Sequence, residues 1–146
     1  MYREQKYKVG LVQMSMSANV EENTKRAGEF VAEAAEKGAE IICLPEMFRS
    51  QYFCQREDVD LFDLAETMPG PSTEFLGEIA KKHKVTIIAP LFERRSAVGI
   101  FHNSLAVIGE DGNIIGVYRK MHIPDDPAYY EKFQRLNGVQ KVGRLS

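Results

Sequence analysis

Short apolar runs along this chain alternate with segments in which apolar residues recur every three or four positions. Residues 9–14, 41–44 and 85–91 are apolar at most positions, which is typical of strands buried on both faces of a sheet. The segments between them have the period of an amphipathic helix. Strand, helix and strand in this order predict β-α-β units, which are nearly always parallel and right-handed.

Two helices are predicted in the intervening segments, and each has recognisable ends. The first has acidic residues in its first turn, Lys37 in its last turn and Gly38 as a left-handed stop. The second follows a Pro-Gly-Pro turn at 69–71 and is expected to be capped by Ser72 or Thr73. The apolar positions on their buried faces are Ala27, Phe30, Val31, Ala34 and Ala35 in the first helix and Phe75, Leu76, Ile79 and Ala80 in the second.

From residue 100 onward the pattern changes to two shorter strands, 104–108 and 114–118, joined by an Asp-Gly turn. Such a turn between β-branched runs is a strong hairpin signal, so the sheet is expected to be mixed. Residues 49–68 have no clear period, and their aromatic residues lie among charges. This segment is interpreted as a long loop at the rim of the sheet, with one short helix at most.

The composition is that of one globular domain. The chain has 146 residues, 44% of them hydrophobic, and a formal net charge of −2, so it can bury a core. Its charges are interspersed rather than gathered in a basic stripe, which argues against a nucleic-acid partner. No apolar run reaches membrane-spanning length, and the amino terminus is charged where a signal peptide would be apolar. We therefore expect a soluble, cytoplasmic protein with no membrane partner.

Other classes of site find little support in the sequence. The only cysteines are Cys43 and Cys54, which do not form a disulfide framework, and both are expected to be reduced thiols. His83, His102 and His122 share no metal-ligand spacing with one another or with the cysteines. No glycine-rich phosphate loop occurs either. No metal or cofactor is therefore predicted.

Two charged residues lie where strands are predicted to end. Glu46 follows the 41–44 strand through Pro45, which ends a ladder because it has no N–H to donate. Lys120 follows the last predicted strand. Ligands collect at the carboxyl ends of parallel strands. Position alone leaves open that both residues are ordinary surface charges.

With these residues in place, the chain resembles the nitrilase superfamily of carbon–nitrogen hydrolases over most of its length. The motifs that carry the resemblance are Val9-Gly10-Leu11-Val12-Gln13-Met14, Lys37-Gly38-Ala39-Glu40, Leu44-Pro45-Glu46, His102-Asn103-Ser104, Asp111-Gly112 and Tyr118-Arg119-Lys120-Met121-His122-Ile123-Pro124-Asp125-Asp126-Pro127. Within the family, the blocks 52–55 and 124–133 look most like N-carbamoylputrescine amidohydrolases. That resemblance implies hydrolysis of N-carbamoylputrescine, a small-molecule substrate, to putrescine, carbon dioxide and ammonia.

The resemblance also implies roles for five residues. Glu46 matches the family's general base, which takes the proton of a nucleophilic cysteine and later serves the leaving amine and the water. Lys120 matches the lysine that stabilises the negative oxygen of the tetrahedral intermediate. Glu131 matches a second glutamate that orients the lysine and the substrate. Tyr52 and Asp125, in the two subfamily-like blocks, are expected to bind the substrate.

The nucleophile itself has no match in these 146 residues. In the family it lies in a motif of the type Gly-Ile-Cys-Trp-Asp on a later strand, and neither Cys43 nor Cys54 occupies that place. The chain is therefore expected to form half of the family's α-β-β-α sandwich, an α/β fold with one mixed sheet and two helices on one face. It would be inactive alone, and it would form a homo-oligomer or pair with a separate carboxyl-terminal half. The alternative is a catalytically dead domain with only an assembly or binding role.

The resemblance divides the chain into two parts. Residues 1–133 correspond to the amino-terminal half of a catalytic domain, whereas residues 134–146 form a tail unlike the family. Residues 137–141 could be encoded by AAC-GGG-GTT-CAA-AAG, which gives Thr-Gly-Phe-Lys when read one nucleotide later. The family has a stretch of that type at this point. The tail is interpreted either as frame-shifted sequence or as the end of a natural half-length chain.

Overall fold

The apolar runs and amphipathic segments form strands and helices in the order that the sequence predicts. The computed structural model describes residues 6–55, 58–122 and 139–141. The helices and strands are β1 Val9–Leu11, α1 Val20–Glu36, β2 Ile41–Cys43, α2 Pro71–His83, β3 Thr86–Arg94, β4 Ile100–Ile108, β5 Ile114–Arg119 and β6 Val139–Lys141. Neither helix in these ranges is long and apolar enough to cross a membrane.

The strands form the mixed sheet that was expected. β1, β2 and β3 lie side by side and run parallel, and β4 and β5 continue the sheet in antiparallel pairing. The turn between β4 and β5 contains Gly112 with a φ of +85°, a conformation that glycine adopts at little cost. β6 pairs antiparallel with the first residues of β4. The predicted α/β fold class is confirmed.

The ends of α1 follow from side-chain and backbone chemistry. The Asn19 side chain accepts hydrogen bonds from the backbone N–H groups of Glu21 and Glu22 at 3.0 and 3.1 Å, which satisfies two free donors of the first turn. At the other end Gly38 has a φ of +86°, the left-handed stop that the sequence predicts. Lys37 is the C-cap residue rather than a member of the last turn.

The start of α2 differs from the prediction. The N-cap residue is Gly70, not Ser72 or Thr73, and the helix begins at Pro71. Proline suits the first helical position because its φ is already helical and it has no N–H to satisfy there. Thr73 still contributes, since its Oγ1 accepts the N–H of Gly70 at 2.9 Å. The predicted N-cap residue is therefore wrong. Thr73 is the third residue of the helix, and its side chain bonds back to the N-cap residue Gly70.

Both helices pack on one face of the sheet, as expected. Gly28 of α1 lies where the helices meet, and a Cβ at this position would be only 2.7 Å from Phe75 and Ile79 of α2. The close approach therefore depends on the missing side chain. The largest fully buried apolar side chains of this core are Val31, Ile42, Phe48, Leu76, Ile87, Leu91 and Ile108.

The other face of the sheet is only partly covered. The strand register places Leu11, Cys43, Ile88 and Val107 in one row across this face. On the edge strand β1, Leu11 is 80% exposed and Val9 is 56% exposed. The apolar run of β1 is typical of a strand buried on both faces, but its outer side chains are uncovered here, as expected for half of a two-sheet sandwich. Within the described residues there is no second layer over its outer side chains.

The loop between β2 and α2 covers the rim end of this same face. It contains two short 3-10 segments, Phe53–Gln55 and Val59–Leu64, where at most one short helix was expected. The buried rings of Phe53, Phe62, Phe92 and Phe101 pack together, with centroids of contacting pairs 4.7 to 5.9 Å apart. These ring contacts attach the loop to β3 and β4.

We expect the uncovered face to bind a hydrophobic dye and to promote self-association, because Val9 and Leu11 expose apolar surface on the same side of β1. Replacing both, Val9→Ser with Leu11→Ser, should reduce dye fluorescence several-fold and shift light scattering toward a monomer. The matched control is Val98→Ser, since Val98 is fully exposed in the β3–β4 turn. A monodisperse wild-type monomer that binds no dye would contradict this expectation.

Candidate active site

The end of β2 brings Glu46 to the rim of the sheet. The N–H of Leu44 still bonds to the carbonyl oxygen of Ile88 at 3.0 Å, and Pro45 then ends the pairing because it has no N–H. The chain turns away from the sheet directly afterwards. Glu46 is thus presented at the carboxyl end of the parallel strands, with 51% of its side chain exposed.

Two donors converge on one oxygen of this carboxylate. Asn103 Nδ2 donates to Glu46 Oε1 at 2.6 Å, and Lys120 Nζ donates to the same oxygen at 3.1 Å. Asn103 lies in β4, and Lys120 follows β5. The backbone N–H of Lys120 donates to the carbonyl oxygen of Asn103 at 2.9 Å, which continues the β4–β5 ladder by one pair. The structure therefore brings Glu46 and Lys120 into contact at one rim, as the sequence predicts.

Asn103 is a residue of this cluster that sequence reasoning did not single out. It was noticed only as part of a motif, with no role of its own. Side chains alternate between the faces of a strand, and Ser104, Ala106 and Ile108 are buried on the helix side. Asn103 is out of phase with them, so its side chain lies on the opposite face. That phase was the signal available in the sequence.

The ionised form of Glu46 is favoured although the residue is partly buried. Burial opposes ionisation, but the hydrogen bonds from Asn103 and Lys120 and the charge of Lys120 outweigh it and hold the pKa of Glu46 below its ordinary value of 4.5. Asn103 and Lys120 both bind Oε1 and leave Oε2 to other partners. Glu46 therefore combines a charged carboxylate with one oxygen that is open to a proton.

A cleft opens beside this carboxylate. It has a volume of about 480 Å³, within the range of small-molecule sites. Tyr52, which the resemblance assigns to substrate binding, is one of its lining residues and is more than half exposed. The residues that line the cleft are Met16, Glu46, Met47, Ser50, Gln51, Tyr52 and Phe53.

Cys54 lies close enough to Glu46 and Lys120 for their charges to act on it. Burial raises the pKa of the Cys54 thiol, and the net shift stays upward although a hydrogen bond with Tyr52 opposes it; the negative charge of Glu46 adds to the rise, whereas Lys120 opposes it. Cys43 and Cys54 are both free thiols, as expected. Cys54 is therefore held protonated at neutral pH, which is usual for an unactivated, partly buried cysteine.

The remaining predicted site residues, Glu131 and Asp125, lie outside the described residues. Their roles, and the predicted proximity of Glu131 to Lys120, stay predictions. Within the ranges that the structure describes, no group of three or more His, Cys, Asp or Glu residues could hold a metal ion.

Most of this chain matches known proteins in sequence. The family model described as carbon-nitrogen hydrolase matches residues 8–138. A citrullinase from Francisella tularensis is 39% identical over 127 residues, which is 86% of this chain and 44% of that protein. An N-carbamoylputrescine amidase from Oryza sativa is 40% identical over 129 residues, which is 88% of this chain and 42% of that protein. The chain thus spans less than half the length of these curated relatives.

A solved structure shares the fold. The carbon-nitrogen hydrolase from Helicobacter pylori matches with a TM-score of 0.79 and 35% sequence identity, covering 95% of this chain and 45% of the other chain. The arrangement of one mixed sheet with two helices on one face is therefore that of a fragment of this fold.

Lys120→Met should raise the pKa of Glu46, because it removes both a hydrogen bond and a positive charge from the carboxylate. A rise of about one unit is expected for an opposite charge at this distance and exposure, measured by 13C NMR titration of the Glu46 carboxyl. The control is Lys82→Met, which removes an equal charge from the exposed face of α2. Equal titration curves for Glu46 in wild type and Lys120→Met would contradict the conclusion that Lys120 lowers the pKa of Glu46.

The same substitution should change the pH dependence of stability. A carboxyl with a lowered pKa in the folded chain stabilises the fold above its unfolded-state pKa, and that contribution is lost as the pH falls through the folded-state pKa. The free energy of unfolding should therefore fall less steeply below about pH 4.5 in Lys120→Met than in wild type. Urea unfolding at a series of pH values measures this slope.

Proposed function

This chain belongs to the carbon–nitrogen hydrolase family, and we propose that it supplies the base and the oxyanion donor of an enzyme that hydrolyses N-carbamoylputrescine. The single observation that supports this is the convergence of Asn103 and Lys120 on one oxygen of Glu46. It leaves the second oxygen available for proton transfer and holds an ammonium group within reach of a reacting carbonyl.

In the proposed reaction, Glu46 takes the proton of a cysteine thiol as its sulfur attacks the ureido carbon. The carbonyl oxygen becomes negative and is stabilised by Lys120, a compact point charge. Glu46 then returns the proton to the terminal nitrogen, which departs as ammonia and leaves an S-carbamoyl intermediate on the cysteine. Water hydrolyses this intermediate, which restores the thiol and releases a carbamic acid that breaks down to putrescine and carbon dioxide. Overall, N-carbamoylputrescine and one water give putrescine, carbon dioxide and ammonia, so atoms and protons balance without an oxidant or cofactor. Glu131 is proposed to orient the lysine, and Tyr52 and Asp125 to bind the substrate.

The choice of substrate rests on the ureido group. Citrulline and N-carbamoylputrescine both end in a carbamoyl group on an alkyl amine, and citrulline differs by one carboxylate at the far end. Among the described residues that line the cleft, Glu46 is charged and none is basic. The additional carboxylate of citrulline would find no basic residue among these lining residues, and the nearby Lys120 is already paired with Glu46. This favours N-carbamoylputrescine over citrulline.

We propose that the nucleophile is supplied from outside these 146 residues. The two cysteines of the chain do not match the family's nucleophile motif, and the thiol next to Glu46 is not activated. A carboxyl-terminal half, or a second copy of the chain, would also cover the exposed side chains of β1. The cytoplasm is the proposed location, as the sequence indicates. The competing hypothesis, a catalytically dead binding domain, differs in that no added segment would restore turnover.

The chain alone should not release ammonia from N-carbamoylputrescine or citrulline, because removing the nucleophile from such a site removes the covalent step. A coupled ammonia assay with purified chain measures this. Two results together would contradict the proposal that the nucleophile lies elsewhere. The chain alone would have to release ammonia, and this release would have to be lost in Glu46→Gln and also in Cys54→Ser or in Cys43→Ser.

Co-expression with the carboxyl-terminal remainder of the Oryza sativa relative should produce ammonia release from N-carbamoylputrescine, faster than from citrulline. Glu46→Gln should then reduce the rate at least about 100-fold, the usual worth of a general base. Glu110→Gln, a substitution at an exposed glutamate in the β4–β5 turn, is the matched control and should leave the rate unchanged. A folded complex without turnover would favour the dead-domain hypothesis.

A further inference from the structure

A second carboxylate lies behind the candidate active site, on the helix side of the sheet. Glu93 of β3 is 2% exposed and accepts three short hydrogen bonds. Arg119 donates to it twice, from Nε to Oε2 and from Nη2 to Oε1, both at 2.7 Å, and Ser104 Oγ donates to Oε2 at 2.6 Å. Arg95 Nε lies 3.6 Å from Oε1. We refer to Glu93, Ser104 and Arg119 as the clamp.

The clamp joins the two strands that present the donors of Glu46. Ser104 of β4 and Arg119 of β5 are partners in the strand register. The next residue on each strand toward the rim is Asn103 or Lys120, and these two are paired by the Lys120 N–H to Asn103 carbonyl bond. Side chains alternate between the faces of a strand. Glu93 therefore binds this strand pair on the helix side of the sheet, and Glu46 binds it on the opposite face.

We propose that Glu93, Ser104 and Arg119 are positioning residues that fix Asn103 and Lys120 on Glu46 Oε1. This inference deepens the proposed hydrolase function and rests on it for its catalytic meaning. A bidentate guanidinium–carboxylate contact fixes both distance and direction, so it restrains the end of β5 one residue before the lysine. The Ser104 hydroxyl restrains β4 in the same way, one residue from the asparagine.

A purely structural role explains the clamp less well. The Glu93 side chain is buried whereas that of Arg119 is 34% exposed, so forming this ion pair costs the hydration of the carboxylate. Such a pair seldom stabilises a fold more than well-packed apolar residues of equal size would. What such a pair does supply is a fixed geometry. A catalytic constellation needs its groups held within about 0.5 Å. β5 ends at Arg119, and beyond the clamp only the bond from the Lys120 N–H to the Asn103 carbonyl oxygen continues its ladder with β4.

The positioning role and a through-space electrostatic role predict opposite signs. Removing the negative charge of Glu93 would, through space alone, make Glu46 easier to ionise and lower its pKa. If the clamp positions the donors instead, its loss loosens Asn103 and Lys120 from Glu46 and raises the pKa of Glu46. Besides Lys120, the titratable groups beside Glu46 in the described chain include the Cys54 thiol and the Tyr52 phenol, and neither type of group is charged over the acidic range of the titration.

The experiment is a 13C NMR titration of the Glu46 carboxyl in the full chain, with the signal assigned by its loss in Glu46→Gln. The variants are Glu93→Gln, Arg119→Lys and Ser104→Ala. Glu93→Gln removes the negative charge of the clamp. Arg119→Lys keeps the positive charge but loses the bidentate contact of the guanidinium, and Ser104→Ala removes one neutral donor. Glu93→Gln and Arg119→Lys should raise the pKa of Glu46 by about half a unit or more, and Ser104→Ala should raise it by less.

The matched control is Ile108→Val, which weakens packing at a fully buried position of the same strand without touching the clamp, and it should leave the Glu46 titration unchanged. An unchanged or lowered pKa of Glu46 in Arg119→Lys and Ser104→Ala would overturn the inference, and so would an equal rise in Ile108→Val. These two clamp variants keep Glu93 charged, so they decide the matter even if Glu93→Gln does not fold. No turnover is involved, so failure of the proposed function would not change the result.

Discussion

The hydrogen-bond ladder between β3 and β4 is the interaction on which the rest of the structure depends. It runs through eight pairs, from Ile87 with Ile108 to Arg94 with Phe101, whereas β1 and β2 contribute three residues each. β3 continues past the level at which β2 ends, so β4 enters the sheet beyond the rim and passes Asn103 beside Glu46. A shift of one residue would exchange the two faces of β4. Ser104 would then face Glu46, and the asparagine would be buried under the helices.

Two glutamates at the same rim have opposite surroundings, and this difference separates their chemistry. Each has a pKa below its ordinary value, because donors outweigh the burial that opposes ionisation. Glu93 is enclosed, and both of its oxygens are engaged by Arg119. Glu46 is half exposed, and its donors share one oxygen. A carboxylate with a free oxygen can exchange a proton with a ligand, whereas one with both oxygens engaged can only hold its partners in place.

Much of this arrangement could be predicted from the sequence, and the parts that could not have a common cause. Periodicity and turn chemistry were sufficient for the strands, the helices and the hairpin, because local pattern determines them. The contact of Glu46 with Lys120 followed from the rule that parallel strands end on one rim, helped by the resemblance. Asn103 and Glu93 were missed because their importance depends on register and face, which a single sequence does not display. The start of α2 was misplaced because Gly70 and Thr73 share the capping. Leu11 is exposed because the residues that the structure describes supply no layer over it.

The uncovered face and the candidate site are on the same side of the sheet, and this relates assembly to chemistry. The side chains of Asn103 and Val107 lie on the same face of β4, and Val107 is in the row with Ile88, Cys43 and Leu11. A segment that buries this row would also exclude water from the rim where Glu46 stands, which strengthens every charge interaction there. Glu46, Asn103 and Lys120 need no such segment to meet, since β2, β4 and β5 already bring them together. Cys54 does not easily become a thiolate beside them, because burial raises the pKa of its thiol and the negative charge of Glu46 adds to the rise.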